Sequence, residues 1–151
     1  MILKNTLYHI DSVQNIDDGQ YLAHISLHRE SEIFKAHFPN LPIVPGACLV
    51  QISKEFIEKN LQQKIQITHF KNLKFLKTIN PDEFPEITIC FSYHISNPPP
   101  APASGGESQF SNPISHIPNL NSQISYPISA SITFSKDEHL FCKLDYLFNT
   151  L

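Results

Sequence analysis

At 151 residues the chain has single-domain length, and 41% hydrophobic against 17% charged residues exclude both wholesale disorder and a fibrous repeat. A net charge of -3 excludes a nucleic-acid module that relies on a basic surface. Three scattered cysteines, Cys48, Cys90 and Cys142, make neither a disulfide framework nor a CxxC metal or redox pair, so buried reduced thiols are expected.

Taken in chain order, the N-terminus MILKNTLYHIDSV is too polar for a signal peptide, and no apolar run reaches the roughly 20 residues of a membrane span. A cytoplasmic protein is the expectation. Gln20 to His28 alternates as a half-buried strand, with Tyr21, Ala23, Ile25 and Leu27 on one face. Ala47 to Asn60 is the one good helix candidate: Pro45-Gly46 precedes it, and Leu49, Ile52, Phe56 and Ile57 form an apolar stripe. Its charges, Lys54, Glu55, Glu58 and Lys59, gather late, which predicts a helix that enters a core and then leaves it. Ile87 to Ile95 alternates as a second strand.

From Asn97 to Tyr126 the pattern breaks. Six prolines, six serines and a single charged residue, Glu107, predict a flexible or partly polyproline insertion within one domain spanning 1–151. Beyond it, Ile128 to Phe134 and Leu140 to Leu147 are strands joined by the polar turn SKDEH, suited to an antiparallel hairpin. One helix against an antiparallel sheet makes an α+β fold.

The segment before the helix reads HFPNLPIVPG. Pro39, Pro42 and Pro45 recur every third residue, so an extended, stiff backbone is expected to aim His37 at the helix start. His37, Phe38, Pro39, Pro42, Ile43, Val44, Pro45 and Gly46 resemble the signature of the 3-hydroxyacyl-(acyl carrier protein) dehydratases, which have the hotdog fold. Downstream, HFKNLKFLKTINPDEFPEITICFSY looks like that family's strand, proline turn and strand, and ISASITFSKDEHLFCKLDYLF looks like its final hairpin. The resemblance covers most of the chain outside 97–126.

What the resemblance implies is a syn elimination of water from a β-hydroxyacyl thioester, in fatty-acid synthesis or a polyketide or aryl-polyene type pathway. Such a reaction needs a base for the α proton, a donor for the thioester oxygen and an acid for the departing hydroxyl. By resemblance His37 is the base, an imidazole being suited to neutral pH. The backbone N-H of Gly46 is the oxygen donor at a helix N-terminus. Phe38, Pro45, Ala47 and Cys48 line the acyl tunnel.

Where the family places a glutamate or aspartate, fourteen residues after the histidine, this chain has Gln51. A carboxamide orients a hydroxyl or a water by hydrogen bonds but has no proton to give. Glu55 lies four residues on, so it is either an acid relocated by one helical turn or, as its charged surroundings favour, a solvated residue.

Three readings follow: a dehydratase acting with a nonstandard partner for His37; a weakened subunit that lends His37 to a hotdog heterodimer, because such sites are built across a dimer interface; or a thioester-binding protein without chemistry. Acyl carrier proteins are acidic, and six lysines face two glutamates between Lys54 and Lys77, so Lys71 and Lys74 are candidates for steering one to the tunnel. At least a dimer is expected, because pairing two sheets covers an exposed edge. His24 and His28 sit in a strand pattern, too far apart for shared ligation, and neither metal nor another cofactor is expected.

Overall fold

The computed structural model describes residues 1–95 and 127–151, so the expected insertion at 97–126 lies outside the described residues. Six strands and two helices follow in order: β1 (Tyr8–Asp17), β2 (Gln20–Leu27), α1 (Glu32–His37), α2 (Gly46–Leu61), β3 (Ile65–Phe75), β4 (Glu86–Ile95), β5 (Ile128–Lys136) and β6 (His139–Thr150). All neighbouring strands run antiparallel in one sheet of order β1-β2-β4-β5-β6-β3. The sheet and α2 form the α+β arrangement that the hotdog resemblance implies.

Alternation explains the packing. Ala23 and Ile25 of β2, Ile87, Ile89 and Phe91 of β4, Ile132 and Phe134 of β5, and Leu144, Tyr146 and Phe148 of β6 all turn to one face and are buried with Leu49, Ile52, Phe56 and Ile57 of α2. Two tight hairpins hold the register. Asp18-Gly19 joins β1 to β2 with Gly19 at φ 69°, and Asp137-Glu138 joins β5 to β6 with Asp137 at φ 51°. β4 and β5 pair as far as Ile95 opposite Ile128.

Two expectations about charge and rigidity are corrected. The late turns of α2 do not leave the core: Glu55 is 0% exposed and Glu58 only 9%. Burial is tolerated because each carboxylate is paired. Glu58 accepts from the backbone N-H of Ile65 and from Lys64 Nζ, and Lys54 lies 3.6 Å away, which pins the helix end to the start of β3. Nor is the segment from His37 uniformly extended. His37 is the last residue of α1, a helix anchored by buried Phe34 and capped by Ser31, and a turn at Pro39-Asn40 precedes the extended approach to Pro45.

β1 and α1 had no clear sequence signal. β1 is an edge strand whose last five residues, Val13 to Asp17, are all exposed, so it lacks apolar alternation there. α1 is only 6 residues long, too short for a periodic stripe. β3 forms the other edge and leaves Phe70, Leu73 and Phe75 exposed, continued by Leu76.

Candidate functional site

The site is assembled around the N-terminus of α2. Pro45 is the N-cap, with φ -62° and ψ 143°, and contributes no side-chain hydrogen bond. A proline there starts the helix without occupying its first donors, and the Gly46 N-H, at the first helical position, has no acceptor within the helix. Helix alignment adds a partial positive charge at this end. Leading into it, the Val44 N-H donates to the Ile79 carbonyl at 2.9 Å, which ties the His37 to Gly46 segment to the chain following β3.

Between these two segments lies a cleft of about 500 Å³. His37, Phe38, Pro45 and Gly46 line it, with Ile43, Val44, Leu49, Phe75, Leu76 and Ile79 making most of its wall apolar and Lys77 and Thr78 at its margin. The ring of His37 meets that of Phe38 edge to face, centroids 4.4 Å apart. Phe75, half exposed, lies directly over Gly46: a Cβ built on that glycine would come within 2.7 Å of the Phe75 Cζ. Gly46 thus admits close approach of an aromatic ring to the helix start. An exposed imidazole, backbone donors that have no acceptor within their helix and an apolar trough together suit an acyl compound carrying a polarisable carbonyl.

The remaining sequence candidates fall elsewhere. Ala47 is exposed and Cys48 half-buried, and neither borders the cleft. Burial raises the Cys48 thiol pKa. Gln51, half-buried on α2, is also outside it. Lys71 and Lys74 are exposed on the edge strand β3.

Glu55 is neither solvated nor turned into the cleft. Its Oε1 accepts from the backbone N-H groups of Ile2 (2.7 Å) and Leu3 (2.9 Å) and from Gln51 Nε2 (3.0 Å), while its Oε2 accepts from the Tyr8 hydroxyl (2.9 Å). Burial opposes the charge, but these donors, Gln51 foremost, hold the carboxyl below its ordinary pKa. Burial and the neighbouring carboxylate raise the Tyr8 phenol, which stays protonated and keeps donating. An ionised, saturated carboxylate has no proton to deliver. Sequence spacing alone missed this, since every donor except Gln51 comes from the first eight residues.

Among the described residues no cluster of three or more His, Cys, Asp or Glu is placed to hold a metal ion. No described helix is long and apolar enough to cross a membrane.

A family model described as ApeI-like, ApeI dehydratase, matches residues 13–97. Among solved structures, the dehydratase heterocomplex ApeI:P from Xenorhabdus doucetiae is similar at TM-score 0.60 and 11% identity, covering 93% of this chain and 96% of that one. An uncharacterized protein from Erwinia carotovora subsp. atroseptica follows at TM-score 0.52 and 13% identity, covering 96% and 94%. A phenylacetic acid degradation-related protein described as a putative thioesterase, from Ralstonia eutropha JMP134, is similar at TM-score 0.50 and 10% identity, covering 91% and 83%. At these identities the structures establish the hotdog fold. No curated protein matches the chain.

Proposed function

The chain belongs to the ApeI-like dehydratase family, and we propose that it removes water from 3-hydroxyacyl thioesters with His37 as the base. The observation that carries this reading is the cleft itself, which His37, Gly46 and apolar side chains line at the N-terminus of α2. Bound with its thioester oxygen toward Gly46, a substrate would develop enolate charge against a backbone donor and the positive end of α2. A donor in that role is worth about 10²- to 10³-fold in rate. His37 would take the α proton, a contribution of about 10²- to 10⁴-fold. Because the elimination is syn, proton and hydroxyl leave from the same face, so the imidazolium can return its proton to the departing hydroxyl as the C-O bond breaks. Gln51 lies outside its own chain's cleft, so in this reading the Gln51 of a second copy, presented across a dimer interface, orients rather than protonates.

The amide at position 51 and the similarity to a dehydratase heterocomplex support a second reading. In it the chain pairs with another hotdog subunit whose helix supplies an acid to His37. The outer edge of β3, which pairs with no strand among the described residues and leaves Phe70, Leu73 and Phe75 exposed, supports pairing with a second chain, of either kind. Exposed Lys71 and Lys74 on that strand, with Lys77 at the cleft margin, suit the approach of an acidic acyl carrier protein. Lys71→Glu with Lys74→Glu is expected to weaken carrier binding several-fold, and unchanged affinity removes that part of the proposal.

The test is direct. Purified protein, alone and with a co-encoded hotdog dehydratase chain, is incubated with 3-hydroxyacyl-carrier substrates and water loss is followed by mass spectrometry. Turnover by the single chain supports the first reading and turnover only in the mixture the second. No water loss in either case overturns both and leaves a thioester-binding protein.

A further inference from the structure

We propose that Glu55 is a positioning residue, which turns the Gln51 carboxamide so that its carbonyl oxygen, and not its N-H, is offered to the acyl site. The inference rests on the dehydratase reading, in which α2 of one subunit faces the cleft of the other. A carboxylate has no hydrogen to donate, so the Gln51 atom 3.0 Å from Glu55 Oε1 must be Nε2. That assignment leaves Oε1 as the amide atom not engaged with the carboxylate.

Glu55 is itself held from three sides. Two backbone N-H groups of the N-terminal segment and the Tyr8 hydroxyl fix the carboxylate, which is 0% exposed. Gln51, one helical turn earlier, is only half-buried and so spans the distance between a rigid buried anchor and the surface. Without the anchor the amide could present either end. With it, position 51 is an acceptor, suited to hold the hydrogen of a substrate hydroxyl and aim its lone pairs at the imidazolium that will protonate it. The proton that leaves the α carbon is then the one that leaves with water, and the amide neither gains nor loses one.

Glu55→Gln, Gln51→Ala, the double variant and Tyr8→Phe are compared in the turnover-competent assembly, and the side-chain amide of Gln51 is followed by ¹⁵N NMR. Glu55→Gln is expected to lower kcat about tenfold with KM nearly unchanged, the scale of one lost hydrogen bond. Gln51→Ala should lower it equally, and the double variant no further. Tyr8→Phe removes one of the donors that hold Glu55 and leaves the Gln51 bond to Oε1, so it should destabilise the fold and lower kcat by less than Glu55→Gln does. The Gln51 amide protons are expected to exchange slowly in the wild type and quickly in Glu55→Gln. Wild-type kcat in Glu55→Gln, additive losses in the double variant, or an unaltered Gln51 signal would each overturn the proposal. A wild type that turns over nothing, alone or with its partner, overturns the dehydratase reading instead, and the catalytic part of this proposal falls with it.

Discussion

Replacing Tyr8 by phenylalanine removes one hydroxyl and little else. The residue is fully buried and its ring stacks on Phe56, centroids 6.1 Å apart, a contact that phenylalanine keeps. What is lost is the 2.9 Å hydrogen bond to Glu55 Oε2, and that oxygen then has no partner among the described residues. A hydrogen bond to a charged group is worth about 1.5–3 kcal/mol, so a cost near 2 kcal/mol is expected at pH 7. With a urea slope of about 1–3 kcal/mol per molar, the midpoint should fall by roughly 1 M. The loss should also depend on pH in one direction. Glu55 is held below its unfolded value of about 4.3, so its contribution is complete above that pH and is lost as pH falls through the folded value. Tyr8→Phe removes one cause of the depression, so the two stability curves should converge in acid. Urea unfolding at pH 7 and at a series of values below about 4 measures both effects. A difference under about 0.5 kcal/mol at pH 7, or one that persists unchanged in acid, would refute the account of Glu55 as an ionised anchor.

Three other outcomes are expected. His37→Ala should lower turnover at least about 100-fold while leaving thermal stability close to wild type, because the side chain is exposed; residual activity above a tenth in a steady-state assay would remove His37 from the reaction. Gly46→Ala should change stability by less than about 1 kcal/mol, the helix gain offsetting displacement of a half-exposed ring, yet raise KM because the added methyl pushes Phe75 off the helix start; Gly46→Ala with Phe75→Ala should restore KM in the same assay. Burial pushes the Cys142 thiol up to about 12, so an aromatic disulfide reagent at pH 8 should leave it unmodified in the native protein and label it only on unfolding.

How much was legible varied with the range of the interaction involved. The helix from Ala47 to Asn60 was readable to within one residue at each end, since its stripe and the Pro45-Gly46 start are local features. The strands at 20–28, 87–95, 128–134 and 140–147 were readable for the same reason: each buries one face, and burial on one face leaves a period of two. β1 escaped because an edge strand facing water has no such period, and α1 because six residues are too few. Glu55 was misread because four neighbouring charges on one helix do suggest solvent. The partners that make its burial affordable are Ile2, Leu3 and Tyr8, some fifty residues away in sequence.

The chain's own order of residues therefore settled its central helix and its half-buried strands, which rest on local periodicity, and showed its likeness to the dehydratases, while the turn and short helix inside the His37 to Gly46 region were not legible. Only the tertiary structure decided that His37 and Gly46 share a cleft with Phe75 and Ile79, and that Gln51 is bound to a buried carboxylate outside it. Which groups a side chain meets in space depends on strand order and on where the N-terminal segment returns across the helix, and neither leaves a period or a spacing in the sequence.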